Sequence, residues 1–211
     1  MAAGSVQETL GYALLIAITA TTVAASRIGT DDVAAHQIAL QVWLFLAFVL
    51  DAYAVAAQAM VGTDFGAGDI LGARAVSNRL LVLGLGAGIV LSVLLAMTAP
   101  LLPVLFSAEP VVADDLASIY GFVIVLQPLT ALVYVWDGVG IGASAFRYLG
   151  GSMVVAGAAT LLVLALFGDT LVGVWVGLTT LTLVRLVALA WWHRVGPLAA
   201  GRVPSPASPG A

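Results

Sequence analysis

Six long apolar segments, separated by short polar stretches, constrain this chain more than any other feature of its sequence. A helix needs about 20 apolar residues to cross the hydrocarbon core of a bilayer, so the 211 residues have room for roughly six spans. In chain order the segments cover residues 9–26, 33–62, 80–102, 116–146, 150–167 and 170–192. The sequence therefore predicts an all-α, polytopic membrane protein with six transmembrane helices.

The composition excludes several other classes of protein. Hydrophobic residues make up 62% of the chain and charged residues only 9%, against about 25% charged residues in a typical soluble domain. A soluble enzyme, a disordered protein and a nucleic-acid binder are all incompatible with these values. The absence of Cys and the presence of only two His argue against a disulfide framework and a metal cluster, so we expect no metal and no cofactor.

The arginines predict the orientation of the spans, because loops on the cytoplasmic side carry an excess of basic residues. If the chain crosses the membrane six times, Arg27 is the only arginine in the segments on one side of the membrane. The other side carries Arg74, Arg79, Arg147, Arg194 and Arg202. We therefore expect both termini to be cytoplasmic.

The two ends of the chain carry different signals. The first segment follows Glu8 rather than a basic region and is too long for a signal peptide, so we expect it to be retained as a span. We assign residues 1–195 to one transmembrane lobe. Residues 196–211 contain four Pro together with Gly, Ser and Ala, and they are predicted to form a disordered cytoplasmic tail.

The second segment carries a carboxylate, Asp51, close to its middle. A charged group at this depth costs several kcal/mol unless it is paired, protonated or in contact with water. Residues spaced by three and four positions share one face of a helix, and here that face is unusually polar. Its members are Gln37, Gln41, Leu44, Phe48, Asp51, Val55 and Gln58. We expect this face to point toward protein or an aqueous cavity.

The fourth segment carries the second intramembrane carboxylate, Asp137. Its face includes Thr130 and Tyr134 at helical spacing. Upstream, Pro128 cannot donate a hydrogen bond to the carbonyl of Ile124, so a kink and a free acceptor are predicted there.

Each polar residue has a structural interpretation as well as a functional one. A single Gln, Thr or Ser within a span more often joins two helices than binds a ligand. We prefer the functional interpretation for Asp51 and Asp137. We prefer the structural one for His36 and, taken singly, for Gln37, Gln41, Gln58, Thr130 and Ser144. Arg185, in the sixth segment, either snorkels to the membrane surface or pairs with a carboxylate.

Several stretches resemble one family of transporters. Residues 29–43, GTDDVAAHQIALQVW, look like the start of the eighth helix of multidrug and toxic compound extrusion (MATE) transporters, in particular of their DinF-like branch. Residues 49–62, VLDAYAVAAQAMVG, and residues 65–69, FGAGD, are similar to the region that follows. Residues 105–111, LFSAEPV, and the dipeptides at 127–128 and 137–138 resemble the tenth helix and the segment before it. The similarity extends over roughly residues 5–195.

The resemblance implies the C-terminal six-helix lobe of a twelve-helix antiporter, which exports cationic or amphipathic xenobiotics from the plasma membrane in exchange for H⁺ or Na⁺. From the polar faces of the second and fourth segments, we name as candidates for ion coupling or the substrate cavity Asp51, Asp137, Gln37, Gln41, Gln58, Tyr134 and Thr130, with a helix kink at Pro128. Asp137 corresponds to a cation-site acid in the tenth helix of the family's other branch. The acid of that branch's seventh helix has no counterpart in residues 9–26.

The expected partners are a small-molecule substrate, the lipid bilayer, and either an N-terminal lobe or a second copy of the chain. Two alternatives stay open beside the lobe of a larger exporter. The chain could act as a half-size transporter that forms a homodimer, or as a non-transporting scaffold or channel subunit.

The orientation can be tested by labelling single cysteines introduced into the Cys-free chain. A cysteine between Arg74 and Arg79 and another beside Glu109 should react with membrane-impermeant reagents from opposite sides, because the predicted third span separates them. Labelling of both from one side would contradict the predicted topology.

Overall fold

The computed structural model describes residues 3–106 and 108–200, with side chains described from Gly11 to Ala199 apart from Ser107. The first half contains α1 (Ala3–Ile28), α2 (Thr30–Gly66), α3 (Ile70–Thr98), a 3₁₀ turn (Ala99–Leu101) and α4 (Leu102–Leu105). The second half contains α5 (Pro110–Gly142), α6 (Phe146–Phe167), α7 (Leu171–Val195) and α8 (Pro197–Ala200).

Six of these helices are long and apolar enough to cross a membrane, and no strand occurs in the described residues. The prediction of an all-α fold with six spans is therefore confirmed. The surface of α3 has the pattern expected of a helix that borders lipid. Exposed apolar residues such as Val82 and Met97 cover one side, while the buried Ser77, Gly84 and Gly88 follow helical spacing on the other.

Five of the six long helices begin earlier than hydropathy predicted, and α3 and α5 show why. Helix α3 starts at Ile70, where the side chain of Asp69 accepts a hydrogen bond of 2.8 Å from the backbone N–H of Gly72. Its first turns carry arginines, so an apolar window does not detect them. Helix α5 starts at Pro110, which suits the first turn because no N–H is needed there.

Helix α5 also ends earlier than the predicted residue 146. Its last residue is Gly142, and Ser144 then adopts a left-handed backbone conformation with φ of 56°. This conformation cannot continue a right-handed helix. The chain therefore turns into α6 at Phe146.

Helix α5 packs closely against α2 on one side and α3 on the other. A Cβ atom at Gly138 would collide with the backbone carbonyl of Ala54 in α2. On the opposite side, a Cβ atom at Gly88 of α3 would lie 2.7 Å from the Cα of Pro128. Glycines thus allow direct backbone contact between helices, as in other membrane bundles.

The predicted tail begins with a short helix, α8. Helix α8 buries Leu198, whose carbonyl accepts a hydrogen bond of 3.1 Å from Nη1 of Arg74 in α3. Residues 201–211 lie outside the described residues, so the predicted disorder of the remaining tail stays a prediction, as does the position assigned to Arg202.

The contact at Gly138 predicts a large effect of a small substitution. Gly138→Ala should destabilise the lobe by about 1–3 kcal/mol, because the added methyl group meets backbone that cannot rotate away. Gly86→Ala is the matched control, since a Cβ atom there has nothing within 4 Å. Thermal unfolding in detergent should separate the two variants, and equal effects would contradict the close packing.

Candidate functional site

A cavity of about 430 Å³ brings the two intramembrane carboxylates together. Five helices contribute to it: α1, α2, α5, α6 and α7. The lining residues are Gly11, Leu14, Asp51, Ala54, Val55, Gln58, Tyr134, Asp137, Ile141, Leu149, Met153 and Arg185. A groove of about 400 Å³ between α1 and α6 is similar in size, but its lining is apolar apart from Tyr12. We therefore take the cavity with the carboxylates as the candidate site.

An ion pair joins α5 to α7 within this cavity. Nη2 of Arg185 donates a hydrogen bond to Oδ1 of Asp137 over 2.5 Å. The side chains are only 11% and 21% exposed, respectively, so both charges are largely withdrawn from solvent. Of the two interpretations of Arg185, snorkelling to the membrane surface and pairing with a carboxylate, the structure supports the second.

The guanidinium of Arg185 has further donors beyond the one that Asp137 accepts. Its Nε is buried and has no hydrogen-bond partner among the described residues. A guanidinium carries five N–H donors, and the contact with Asp137 uses one of them. The pair is therefore a single hydrogen-bonded contact rather than a bidentate one.

The second carboxylate has a different environment. Asp51 is exposed, and it lines the cavity from α2 together with Gln58, two turns further along. Among the described side chains it has no ion-pair partner. One cavity thus contains a paired carboxylate and an unpaired one.

The polar face that the sequence predicts on α2 is the face that this lobe leaves uncovered. Gln41, Asp51 and Gln58 are exposed, and Phe48 between them is 77% exposed. A neighbouring face of α2 packs inward. Its central residues are Ala47, Leu50, Ala54, Ala57 and Val61. A polar face outside the packed lobe requires water or another protein surface.

Three predicted site residues do not line the cavity. Nε2 of Gln37 donates a hydrogen bond of 3.3 Å to Thr22 of α1, so this glutamine joins two helices. Thr130 is buried and its Oγ1 has no partner among the described residues. Gln41 lies about 15 Å from Asp51 along α2, as ten residues of helix imply.

At Pro128 the structure differs from the sequence prediction of a free acceptor, and the predicted kink stays a prediction. Helix α5 continues through this residue, and the carbonyl of Ile124 accepts a hydrogen bond of 2.6 Å from the hydroxyl of Ser92 in α3. The acceptor is therefore satisfied, contrary to the expectation that it would be free. Contact with Gly88 also places Pro128 against α3.

Sequence reasoning missed part of the cavity. Leu149 and Met153 of α6 line it, but nothing distinguishes them in the sequence from other apolar residues of a span. Arg185 did carry a signal, since an arginine within an apolar segment is costly without a partner. Its partner is 48 positions away in the chain, so the sequence could not identify which carboxylate it meets.

Comparison with known families identifies the chain. Residues 12–166 match the family described as MatE. The chain belongs to the MatE family. This membership confirms the resemblance to MATE transporters, while assignment to the DinF-like branch stays a prediction.

Similar curated proteins include two from Arabidopsis thaliana. Protein DETOXIFICATION 45, chloroplastic, is 36% identical over 190 residues, which are 87% of this chain and 34% of that protein. Protein DETOXIFICATION 42 is 36% identical over 195 residues, which are 88% of this chain and 38% of that protein. The MatE chain thus spans little more than a third of the length of these relatives.

Solved transporters share the fold. A MOP superfamily transporter from Pyrococcus furiosus superposes with a TM-score of 0.78 at 18% identity, over 89% of this chain and 42% of the other. An outward-facing multidrug resistance MATE transporter superposes with a TM-score of 0.73 at 17% identity, over 92% of this chain and 46% of the other. The predicted lobe of a MATE-type transporter is confirmed at the level of fold, and the relatives are transporters rather than enzymes.

A double-mutant cycle tests the ion pair. Asp137→Asn and Arg185→Gln should each lower the free energy of unfolding by about 3 kcal/mol, because each leaves a largely buried charge without its partner. The double variant should lose much less than the sum of the two.

The exposed residues Arg79 and Asp114 provide matched controls for the cycle. Arg79→Gln and Asp114→Asn should each change the free energy of unfolding by no more than about 0.5 kcal/mol. Strict additivity of the Asp137 and Arg185 effects would contradict the pair.

Proposed function

We propose that this chain forms the C-terminal lobe of a cation-coupled antiporter that exports small amphipathic or cationic compounds from the cell. The observation that carries the proposal is the cavity shared by Asp51, Asp137 and Arg185. Ionisable groups within membrane spans are costly and most often belong to ion or substrate pathways. Membership of the MatE family supports the same conclusion.

The charges of the cavity suggest how an ion and a substrate exclude each other. With both carboxylates ionised, Asp51, Asp137 and Arg185 give a formal charge of −1, and uptake of one H⁺ or Na⁺ brings it to zero. A cationic compound is attracted to the cavity when its formal charge is −1 and not when that charge is zero. Exchange follows if ion binding and substrate binding favour opposite conformations of two lobes that rock around the site.

The uncovered face of α2 supports a partner lobe opposite this one. Asp51 and Gln58 lie on that face, and neither suits contact with lipid tails. An N-terminal lobe would supply the opposing wall. A second copy of the chain, related by a twofold axis, would supply it in the half-size transporter, which is the main alternative.

We further propose that the lobe lies in the plasma membrane with both termini in the cytoplasm, as the distribution of arginines indicates. A scaffold or channel subunit that does not transport is the third possibility. It differs from the other two in predicting no response to an ion gradient.

Reconstitution of the purified 211-residue chain into liposomes tests the proposal. We expect no gradient-driven export of a cationic dye from the monomeric chain, because one wall of the cavity is missing, and export once an N-terminal lobe is co-reconstituted. Export by a chain shown to be monomeric would contradict this prediction, and export only by a dimer would favour the half-size transporter.

In the active assembly, Asp51→Asn and Asp137→Asn should each weaken coupling to the ion gradient, since each removes a titratable group and nearly preserves shape. Asp114→Asn is the control, because this exposed acid lies near the start of α5, outside the cavity. Coupling that survives both cavity substitutions would exclude the two carboxylates as the coupling site.

A further inference from the structure

We infer that Arg185 makes the carboxylate of Asp137 selective for protons and closes it to Na⁺. This inference rests on the proposed function, in which the coupling ion is either H⁺ or Na⁺, and it gives Arg185 a role in choosing between them. Arg185 is a specificity-determining residue in this view, because it touches the ion-binding carboxylate directly.

The first argument is that a cation already occupies the position beside Asp137. Nη2 of Arg185 lies 2.5 Å from Oδ1, and the two side chains are largely buried. A Na⁺ ion at the same carboxylate would lie within a few ångströms of the guanidinium, where repulsion between like charges is poorly screened. A proton also breaks the ion pair, but it binds covalently to a carboxylate oxygen and needs neither space nor further ligands beside the guanidinium.

The second argument concerns the oxygen atoms that a metal ion would need. Hard cations exchange their hydration water for several protein oxygen ligands. Besides Asp137, the cavity offers side-chain oxygens from Asp51, Gln58 and Tyr134. Among the described residues, no cluster of three or more acidic, His or Cys side chains could hold a metal ion. A proton requires no such set of ligands.

The remaining charged groups around the pair are few. Asp51 faces the cavity from α2, and the titratable hydroxyl of Tyr134 faces it from α5. The described lining of α1 and α6 is uncharged. It consists of Gly11, Leu14, Leu149 and Met153. Only Arg185 among the described lining residues is positively charged, so it alone can act as the counter-ion of Asp137.

Protonation of Asp137 then has a defined consequence. The guanidinium loses its ionic partner but keeps its charge, and its donors become available to Asp51, the unpaired carboxylate of the same cavity. A cationic substrate held by Asp51 would then compete with a protein cation. Binding of a proton at Asp137 thus promotes release of substrate from Asp51, with Arg185 as the connecting residue.

The test measures ion binding on the purified full chain and needs no transport. Unfolding temperatures are compared in NaCl and in KCl at equal ionic strength and neutral pH. We expect the wild type to show no difference, and Arg185→Gln to gain a saturable, Na⁺-specific rise of several degrees, because Na⁺ replaces the missing counter-ion. The rise should disappear in the double variant Arg185→Gln/Asp137→Asn.

Two further variants serve as controls. Arg185→Lys keeps a tethered cation and should stay insensitive to Na⁺, and Arg79→Gln removes one exposed positive charge and should behave as wild type. If Arg185→Gln does not fold, the inference is tested by measuring the binding of tracer sodium to the wild type and to Arg185→Lys. Absence of sodium binding to both proteins supports the inference.

Saturable stabilisation of the wild type by Na⁺, or tracer binding that protons displace, would overturn the inference. A Na⁺ response of Arg185→Gln that persists in the double variant would also overturn it, since the ion would not then be bound by Asp137. If the expected ion-binding pattern is found but the complete assembly does not transport, the failure belongs to the proposed function.

Discussion

The direct contact between the backbones of α2 and α5 at Gly138 is the interaction on which this lobe depends. Apolar burial gives little driving force between helices that are already surrounded by lipid, so close packing contributes much of the stability. The absent side chain allows α5 to reach the carbonyl of Ala54. Since Asp51 lies one turn before Ala54, and Asp137 directly precedes Gly138, the same contact brings both carboxylates into one cavity.

Helix α5 is held on three sides. Its contact with α2 is at Gly138, its contact with α3 includes the hydrogen bond from Ser92 to the carbonyl of Ile124, and its contact with α7 is the ion pair of Asp137. The hydrogen bond from Ser92 compensates for the donor that Pro128 lacks, as polar groups in membrane bundles commonly do. A proline in this helix therefore coexists with a firmly supported carboxylate nine residues further on.

The parts of this arrangement that follow from local pattern were predictable, and the parts that depend on distant contacts were not. The six spans follow from apolar runs, and the polar face of α2 follows from the spacing of Gln41, Asp51 and Gln58. The early start of α3 at Ile70 was missed because its first turns carry arginines. The partners of Asp137 and Ile124 lie 48 and 32 positions away, and only the packed lobe identifies them.

The two carboxylates of the cavity are chemically identical in the sequence, and the fold makes them different. Asp137 faces a guanidinium that compensates most of its charge, whereas Asp51 is exposed and has no ion-pair partner in the described part of the chain. The pair contributes little net charge, so the field inside the cavity is largely that of Asp51. In the proposed antiporter, a change of charge at Asp137 would therefore reach a substrate beside Asp51 mainly through Arg185. Under the proposed function, this division would separate ion binding at Asp137 from substrate binding at Asp51 while keeping both within one cavity.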